Sequence, residues 1–130
     1  MHREFYQDLF VRLSNRMASL QGEDGYWHAS LLDPKSYPSP ETSATGFIVY
    51  ALAYGVNEGL LDKEQMIPVI KKGWEALVKA VEKDGKLGYV QPIGADPKKV
   101  TREMTEVYGV GAFLLAGNQM YKLVSTHLSK

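Results

Sequence analysis

Apolar residues along this chain fall into two kinds of run. From His2 to Leu20, Phe5, Leu9, Leu13, Met17 and Leu20 recur at steps of three and four, with Arg3, Asp8, Arg12 and Asn15 between them. That spacing predicts an amphipathic helix with one stripe toward the core. Between Asp62 and Val81 the pattern returns: Ile67, Ile70, Trp74, Leu77, Val78 and Val81 form a stripe, and Lys71, Lys72, Glu75 and Lys79 lie off it. Asp62 suits the cap of this helix, with Gln65 in the capping-box position. Pro68 is expected to kink its first turns or delay the regular helix. The stretches Ala44–Tyr54 and Thr105–Thr126 are different, because the first is apolar at almost every position and the second at most, so that both are apolar on nearly every face. A helix apolar on every side calls for burial on every side.

Pro38 and Pro40 stiffen the chain ahead of the first apolar helix. Glu41, Thr42 and Ser43 suit a helix start, with Thr42 or Ser43 as the cap and Glu41 beside the positive end of the dipole. Tyr26–Leu32 and Leu87–Gln91 read as short extended pieces, and Asp33–Pro40 and Pro92–Arg102 as loops. Asp24-Gly25 and Asp84-Gly85 are turn signals.

The order repeats. An amphipathic helix, a D-G turn, an extended piece and a long loop lead each time to an apolar helix. Gly46-Phe47 in the first apolar helix has its counterpart in Ala112-Phe113 of the second. Repeats of this size predict stacked helical hairpins. One-sided helices outside and all-apolar helices inside describe concentric layers. The predicted fold is therefore all-α, an α/α toroid of the (α/α)6-barrel type. Residues 1–130 form a single helical domain supplying about two hairpins of it. A four-helix bundle is the competing arrangement, but it predicts four amphipathic helices. Both long loops, Gly22–Thr42 and Asp84–Met104, then lie on one face beside the N-termini of the inner helices.

Composition narrows the partners. The 130 residues carry 15 basic and 15 acidic side chains, so no net charge draws the chain to nucleic acid or to a membrane. There is no cysteine, which excludes disulfides and thiolate chemistry. Three separated histidines argue against a structural zinc site, and no cofactor or metal is expected. No apolar run reaches the length of a membrane span. The N-terminus lacks the layout of a signal peptide. A cytoplasmic protein is the expectation, or a periplasmic or secreted one if Met1 begins a shortened chain.

The segments DGYWHASLLDPKSYPSPETSATGFIVYALAYGVNEGLL, GKLGYVQPIGADP and TEVYGVGAFLLAG resemble the C-terminal part of the unsaturated glucuronyl and rhamnogalacturonyl hydrolases, glycoside hydrolase families 88 and 105. The resemblance runs from about Gln21 to Leu123. Its motifs are D-G-x-W, E-T-S-A-T-G-F, a second D-G and E-V-Y-G-x-G-A-F, in that order. It implies an (α/α)6 barrel and hydration of the C4=C5 double bond of an unsaturated uronic acid, after which the sugar opens and its glycosidic link breaks. The family's catalytic aspartates and an arginine–glycine–tryptophan motif fall upstream of Met1. The resemblance therefore places no catalytic residue in this chain and implies a shortened protein.

At the loop face, free helix N–H groups suit a uronate carboxylate. Thr42, Ser43 and Thr105 are the candidates to bind it; simple helix capping is the competing role for each. Trp27, Tyr37 and Tyr108 are candidate faces for a sugar ring, against a role as core aromatics beneath the loops. His28 is a candidate substrate contact or a plain surface residue, with exposure favoured. Glu41 and Glu106 sit at matching helix starts. A catalytic acid needs a raised pKa, whereas a helix N-terminus stabilises the anion; structural roles are expected for both. Gly109, Gly111 and Gly117 are expected to permit close helix packing. The expected partner is an oligosaccharide bearing an unsaturated uronic acid. Two rivals stand beside this reading: a non-catalytic helical carbohydrate-binding or interaction module, and another α/α toroid enzyme such as a polysaccharide lyase or cellulase-like hydrolase. Four helices cannot bury every face of two apolar ones, so self-association through exposed apolar faces is also expected.

Overall fold

A computed structural model describes residues 2–128. Four α-helices follow in order: α1 (His2–Ala18), α2 (Thr42–Asn57), α3 (Lys63–Lys79) and α4 (Val107–Leu123), the last running into a π turn at Val124–Leu128. Short 3-10 turns interrupt the two long loops at Pro34–Ser36 and Pro97–Lys99. Neither expected extended piece becomes a strand among the described residues; one isolated antiparallel bridge joins Val81 to Leu87.

The apolar helices α2 and α4 lie against each other. A Cβ added at Gly46 would stand 3.0 Å from the Cβ of Ala112, so the two backbones approach with almost nothing between them. Val49, Leu52, Ala53 and Val56 of α2 and Ala116, Met120 and Leu123 of α4 share one core cluster with Trp27, Met66, Ile70 and Leu77. Both helices start at the same end of the molecule. Near their other end, Asn57 Nδ2 donates to the side-chain oxygen of Gln119 at 2.9 Å and to its carbonyl at 3.0 Å.

Helix α3 flanks α2 and is capped as expected: the Asp62 carboxylate accepts from Gln65 N at 2.8 Å. It runs unbroken through Pro68. Its buried face is centred on Met66, Ile70, Gly73 and Leu77, while Val78 is exposed. Trp74 stacks on Phe113 of α4 with ring centres 5.1 Å apart.

Helix α1 departs from its predicted stripe. Phe5, Leu9 and Leu13 are exposed, with Phe5 at 62%. Ser14 is buried; Met17 and Leu20 of the stripe do pack on the core, joined there by Phe10, Val11 and Ala18. The helix meets the core only through its second half, and tertiary contacts set its rotation there. Phe10 packs onto Gly55, where an added Cβ would lie 2.9 Å from the Phe10 ring. Met17 O accepts from the indole N–H of the buried Trp27 at 2.7 Å.

Helix α4 corrects a second expectation. It is apolar all round but not buried all round: Val107 is 86% exposed, Leu114 64% and Tyr121 76%, and Val110 and Leu115 are exposed with them. Phe47 and Tyr54 of α2 also reach solvent. Helix α2 has neighbours on several sides, whereas among the described residues α4 is covered by α2, by part of α3 and, near its start, by the second loop, and its remaining side is open. The glycines of α4 differ in the same way. A Cβ on Gly109 would come within 2.5 and 2.6 Å of the Val90 methyls, and one on Gly117 would stand 3.2 Å from the Trp74 ring. A Cβ on Gly111 would meet nothing within 4 Å, so close packing does not explain that glycine.

Gly109→Ala is expected to lower stability in urea unfolding by about 1–3 kcal/mol, through overpacking against Val90. Gly111→Ala is expected to be neutral or to stabilise by up to about 1 kcal/mol, from helix propensity alone. Tyr26 is buried and its hydroxyl donates to Ala76 O at 2.7 Å. Burial, then the nearby Asp24 carboxylate, push its phenol up to about 12. A raised phenol pKa means the fold favours the neutral form. That contribution is complete below the ordinary value near 10 and is lost as pH rises toward 12. Tyr26→Phe is expected to cost about 1 kcal/mol at neutral pH. It should also flatten the loss of stability across this alkaline window, as measured by denaturation at stepped pH.

Candidate functional site at the shared helix rim

The two long loops meet at the end where α2 and α4 begin. The first is tied down by its own polar residues. Gly25 adopts φ +93° in the D-G turn, where an added Cβ would lie 2.6 Å from Lys72 O. Asp24 accepts from Tyr26 N at 3.2 Å. Trp27 is fully buried, and its backbone N–H donates to Thr45 Oγ1 at 3.1 Å. The second loop is joined to the first helix start: Thr42 N donates to Tyr89 O at 3.0 Å, and Thr42 Oγ1 to Gly88 O at 2.8 Å.

Glu41, buried at 5% exposure, is the cap of α2. Its Oε1 accepts from Ser43 Oγ at 2.7 Å, Ser43 N at 3.1 Å and Gln91 N at 3.4 Å, and its Oε2 accepts from Ala44 N at 2.7 Å. A buried carboxylate is tolerated when donors surround it, and here the set also links both loops. The structural role expected for Glu41 is thus its observed one, and the cap is Glu41 rather than Thr42 or Ser43. Glu106 makes no such bond at the start of α4.

The predicted site residues separate by burial. Trp27 and Thr42 are fully buried and present no surface to a ligand here; both lie beneath the rim, fixed by their hydrogen bonds. Ser43 is half-buried, with its hydroxyl donating to Glu41. His28 is not the exposed residue that was favoured: its side chain is only 9% exposed. Its Nδ1 lies 3.1 Å from Tyr37 O and 3.0 Å from Ser39 O, and its Nε2 lies 3.1 Å from Asp24. The ring is a strut within the first loop. Tyr37 is half-buried, with the Lys98 ammonium 5.2 Å from its ring centre, so the two loops touch there as well. Tyr108 is half-buried and donates its hydroxyl to Gln91 O. Burial, then Glu106 and Glu41, raise its phenol above the ordinary value, which keeps that donor protonated. Thr105 is exposed before α4.

Several clefts open along these loops, two of them beside the helix starts. One, of about 380 Å³, is lined by His28, Leu31, Glu41, Ile48, Gln91 and Pro97. The other, of about 330 Å³, is lined by Thr105, Glu106, Val107 and Val110. A larger apolar groove of about 440 Å³ lies elsewhere, between Trp74 of α3 and the C-terminal half of α4. No group of three or more potential metal ligands occurs among the described residues. No helix among them is long and apolar enough to cross a membrane.

Gln91 and the Gly88–Tyr89 carbonyls are rim residues that sequence reasoning missed. A signal for this convergence was present: Asp33-Pro34-Lys35 and Asp96-Pro97-Lys98 form the same 3-10 turn in both loops, each started by an aspartate side chain. That repetition marks the loops as equivalent.

The family model for Glycosyl Hydrolase Family 88 matches residues 1–124. An unsaturated 3S-rhamnoglycuronyl hydrolase of Formosa agariphila is 45% identical over 122 residues, covering 94% of this chain and 32% of the relative. A solved structure named as a polysaccharide lyase superposes with a TM-score of 0.93 at 42% identity, covering 97% of this chain and 37% of that one. A glycosyl hydrolase family 88 structure from Bacteroides vulgatus gives a TM-score of 0.88 at 38% identity, covering 92% and 36%. The chain thus spans about a third of the length of these relatives. With the match to the family model running through all four helices, this chain belongs to glycoside hydrolase family 88, and its nested helices are part of an (α/α)6 toroid.

Proposed function

We propose that this chain forms part of the pocket wall of a hydrolase acting on oligosaccharides that end in an unsaturated uronic acid. The observation that carries the reading is the gathering of both long loops at one rim, beside the starts of the two apolar helices. The family membership and the activity for which the Formosa relative is named support the substrate class. In this reading Ser43, Thr105 and the nearby amides face the uronate carboxylate, and Tyr37 and Tyr108 offer ring faces to the sugar. His28 holds the first loop in shape, and Trp27 and Thr42 support the rim from below. Water adds across C4=C5, its hydrogen to C4 and its hydroxyl to C5. The resulting hemiketal opens, and the glycosidic link then breaks. The acid/base is an aspartate outside this chain. Glu41 is already committed to Ser43, Ala44 and Gln91.

A second reading is favoured by the similar structure named as a polysaccharide lyase. The two differ in the sign of one signal. A lyase makes the conjugated double bond and raises ultraviolet absorbance; the proposed hydrolase consumes it.

This chain alone, mixed with an unsaturated uronyl disaccharide, is expected to leave the absorbance unchanged. A longer protein that carries the preceding helices is expected to bleach it. No loss from either counts against the hydrolase, and a rise on intact polysaccharide supports the lyase.

The uncovered side of α4 carries a separate proposal, self-association through Leu114, Tyr121 and their neighbours. Light scattering across a concentration series should show masses above the 14.5 kDa monomer. Leu114→Lys should reverse this. A monomer at every concentration, with no binding of a dye for apolar surface, would remove the idea.

A further inference from the structure

We propose that Gly88–Gln91 is a positioning strap that holds the starts of α2 and α4 at one spacing and couples them. The functional side of the proposal rests on the sugar-site reading above; the coupling itself does not.

Every residue of the strap reaches one helix start or both. The carbonyls of Gly88 and Tyr89 both accept from Thr42, from Oγ1 at 2.8 Å and from the backbone N–H at 3.0 Å. The Val90 side chain fills the space above Gly109, near the start of α4. Gln91 touches both helices: its N–H donates to the Glu41 cap of α2 at 3.4 Å, and its carbonyl accepts from Tyr108 Oη in the first turn of α4.

This arrangement demands an unusual backbone. In extended chain, successive groups point to opposite sides. Two successive carbonyls can turn to one residue only if the chain leaves that conformation between them. Tyr89 does so at φ +58°, the one non-glycine residue with positive φ among the described residues. An aromatic side chain rarely adopts that conformation unless its surroundings hold it there. They do. Val90 is fully buried and its N–H donates to Met104 O at 3.0 Å. Gly88 passes so close to Arg102 that a Cβ would lie 2.3 Å from the Arg102 carbonyl. The Arg102 guanidinium, paired with Glu82, lies 5.9 Å from the Tyr89 ring centre.

The absent cap at α4 adds an independent point. Glu106 makes no side-chain cap bond, so from its own segment that first turn has only backbone bonds, Gly109 N and Val110 N donating to Glu106 O at 3.1 and 3.3 Å. Tyr108 and Gly109 secure it through the strap. A displacement of either helix start therefore has to displace Gln91, and with it the other start.

Amide hydrogen exchange on the sugar-free chain tests this. Thr42→Val cuts the strap at α2, and Tyr108→Phe cuts it at α4. Each variant is expected to speed exchange at both starts, at Ser43 and Ala44 and at Gly109 and Val110. The expected factor is about fivefold, the equivalent of one ordinary hydrogen bond. Ala76 and Leu77 in α3 should not change. Faster exchange confined to the altered helix, or spread equally into α3, overturns the proposal. Tyr108 is half-buried, so its variant carries the test if Thr42→Val does not fold. Because no sugar is present, failure here leaves the sugar-site reading intact. An inactive longer protein would leave the coupling intact.

Discussion

The contact between Gly46 and Ala112 governs the rest of the structure. With no larger side chain between them, α2 and α4 pack backbone to backbone, and apolar faces on both helices close over a common core. The two helices run in the same direction, as the Glu41–Gln91–Tyr108 link at one end and the Asn57–Gln119 pair at the other require. Parallel neighbours need a return path. Helix α3 supplies it along the flank of α2, and the second long loop completes it. Both loops are thereby delivered to the rim where the apolar helices begin.

Polar groups then do what the apolar core cannot, which is to fix register at the two ends. Burial of apolar surface has no direction; a hydrogen bond does. Glu41 illustrates the condition under which a charge is kept in a buried joint. Donors from its own helix and from the facing loop satisfy both of its oxygens. Thr42 and Trp27 use the same logic with neutral groups. The rim is consequently a set of loops whose backbone polar groups are tied to helix starts, and its remaining exposed polar and aromatic groups are held by a rigid base.

The helices also show where periodicity stops being informative. The D-G turns, the Asp62 cap and the four helices follow from local chemistry, and the alternation of one-sided with all-apolar helices identified α2 and α4 as the inner pair. The rotation of α1 did not follow. The first half of its apolar stripe, Phe5, Leu9 and Leu13, stands in solvent, because the helix meets the core where Phe10 reaches Gly55 and Met17 reaches Trp27. Spacing along one helix weighs all apolar residues alike, whereas packing weighs only those that find a partner. The same reason separates α2 from α4. Their compositions are alike, yet one has neighbours on several sides and exposes only Phe47 and Tyr54 of its large apolar residues, whereas the other keeps Val107, Leu114 and Tyr121 in water among others.

By itself, then, the sequence determined the helices, their turns, their inner and outer ranks and the family to which the chain belongs. These depend on spacing and on residue chemistry within short stretches, and such information is local. The tertiary structure alone decided which rim residues are buried. It placed Trp27 and Thr42 under the surface, made a strut of His28, and brought Gln91 between Glu41 and Tyr108. Those outcomes depend on how whole loops fold back on the helix starts, through contacts that reach up to 50 positions along the chain. Nothing in the local pattern of either partner records that the other will be there.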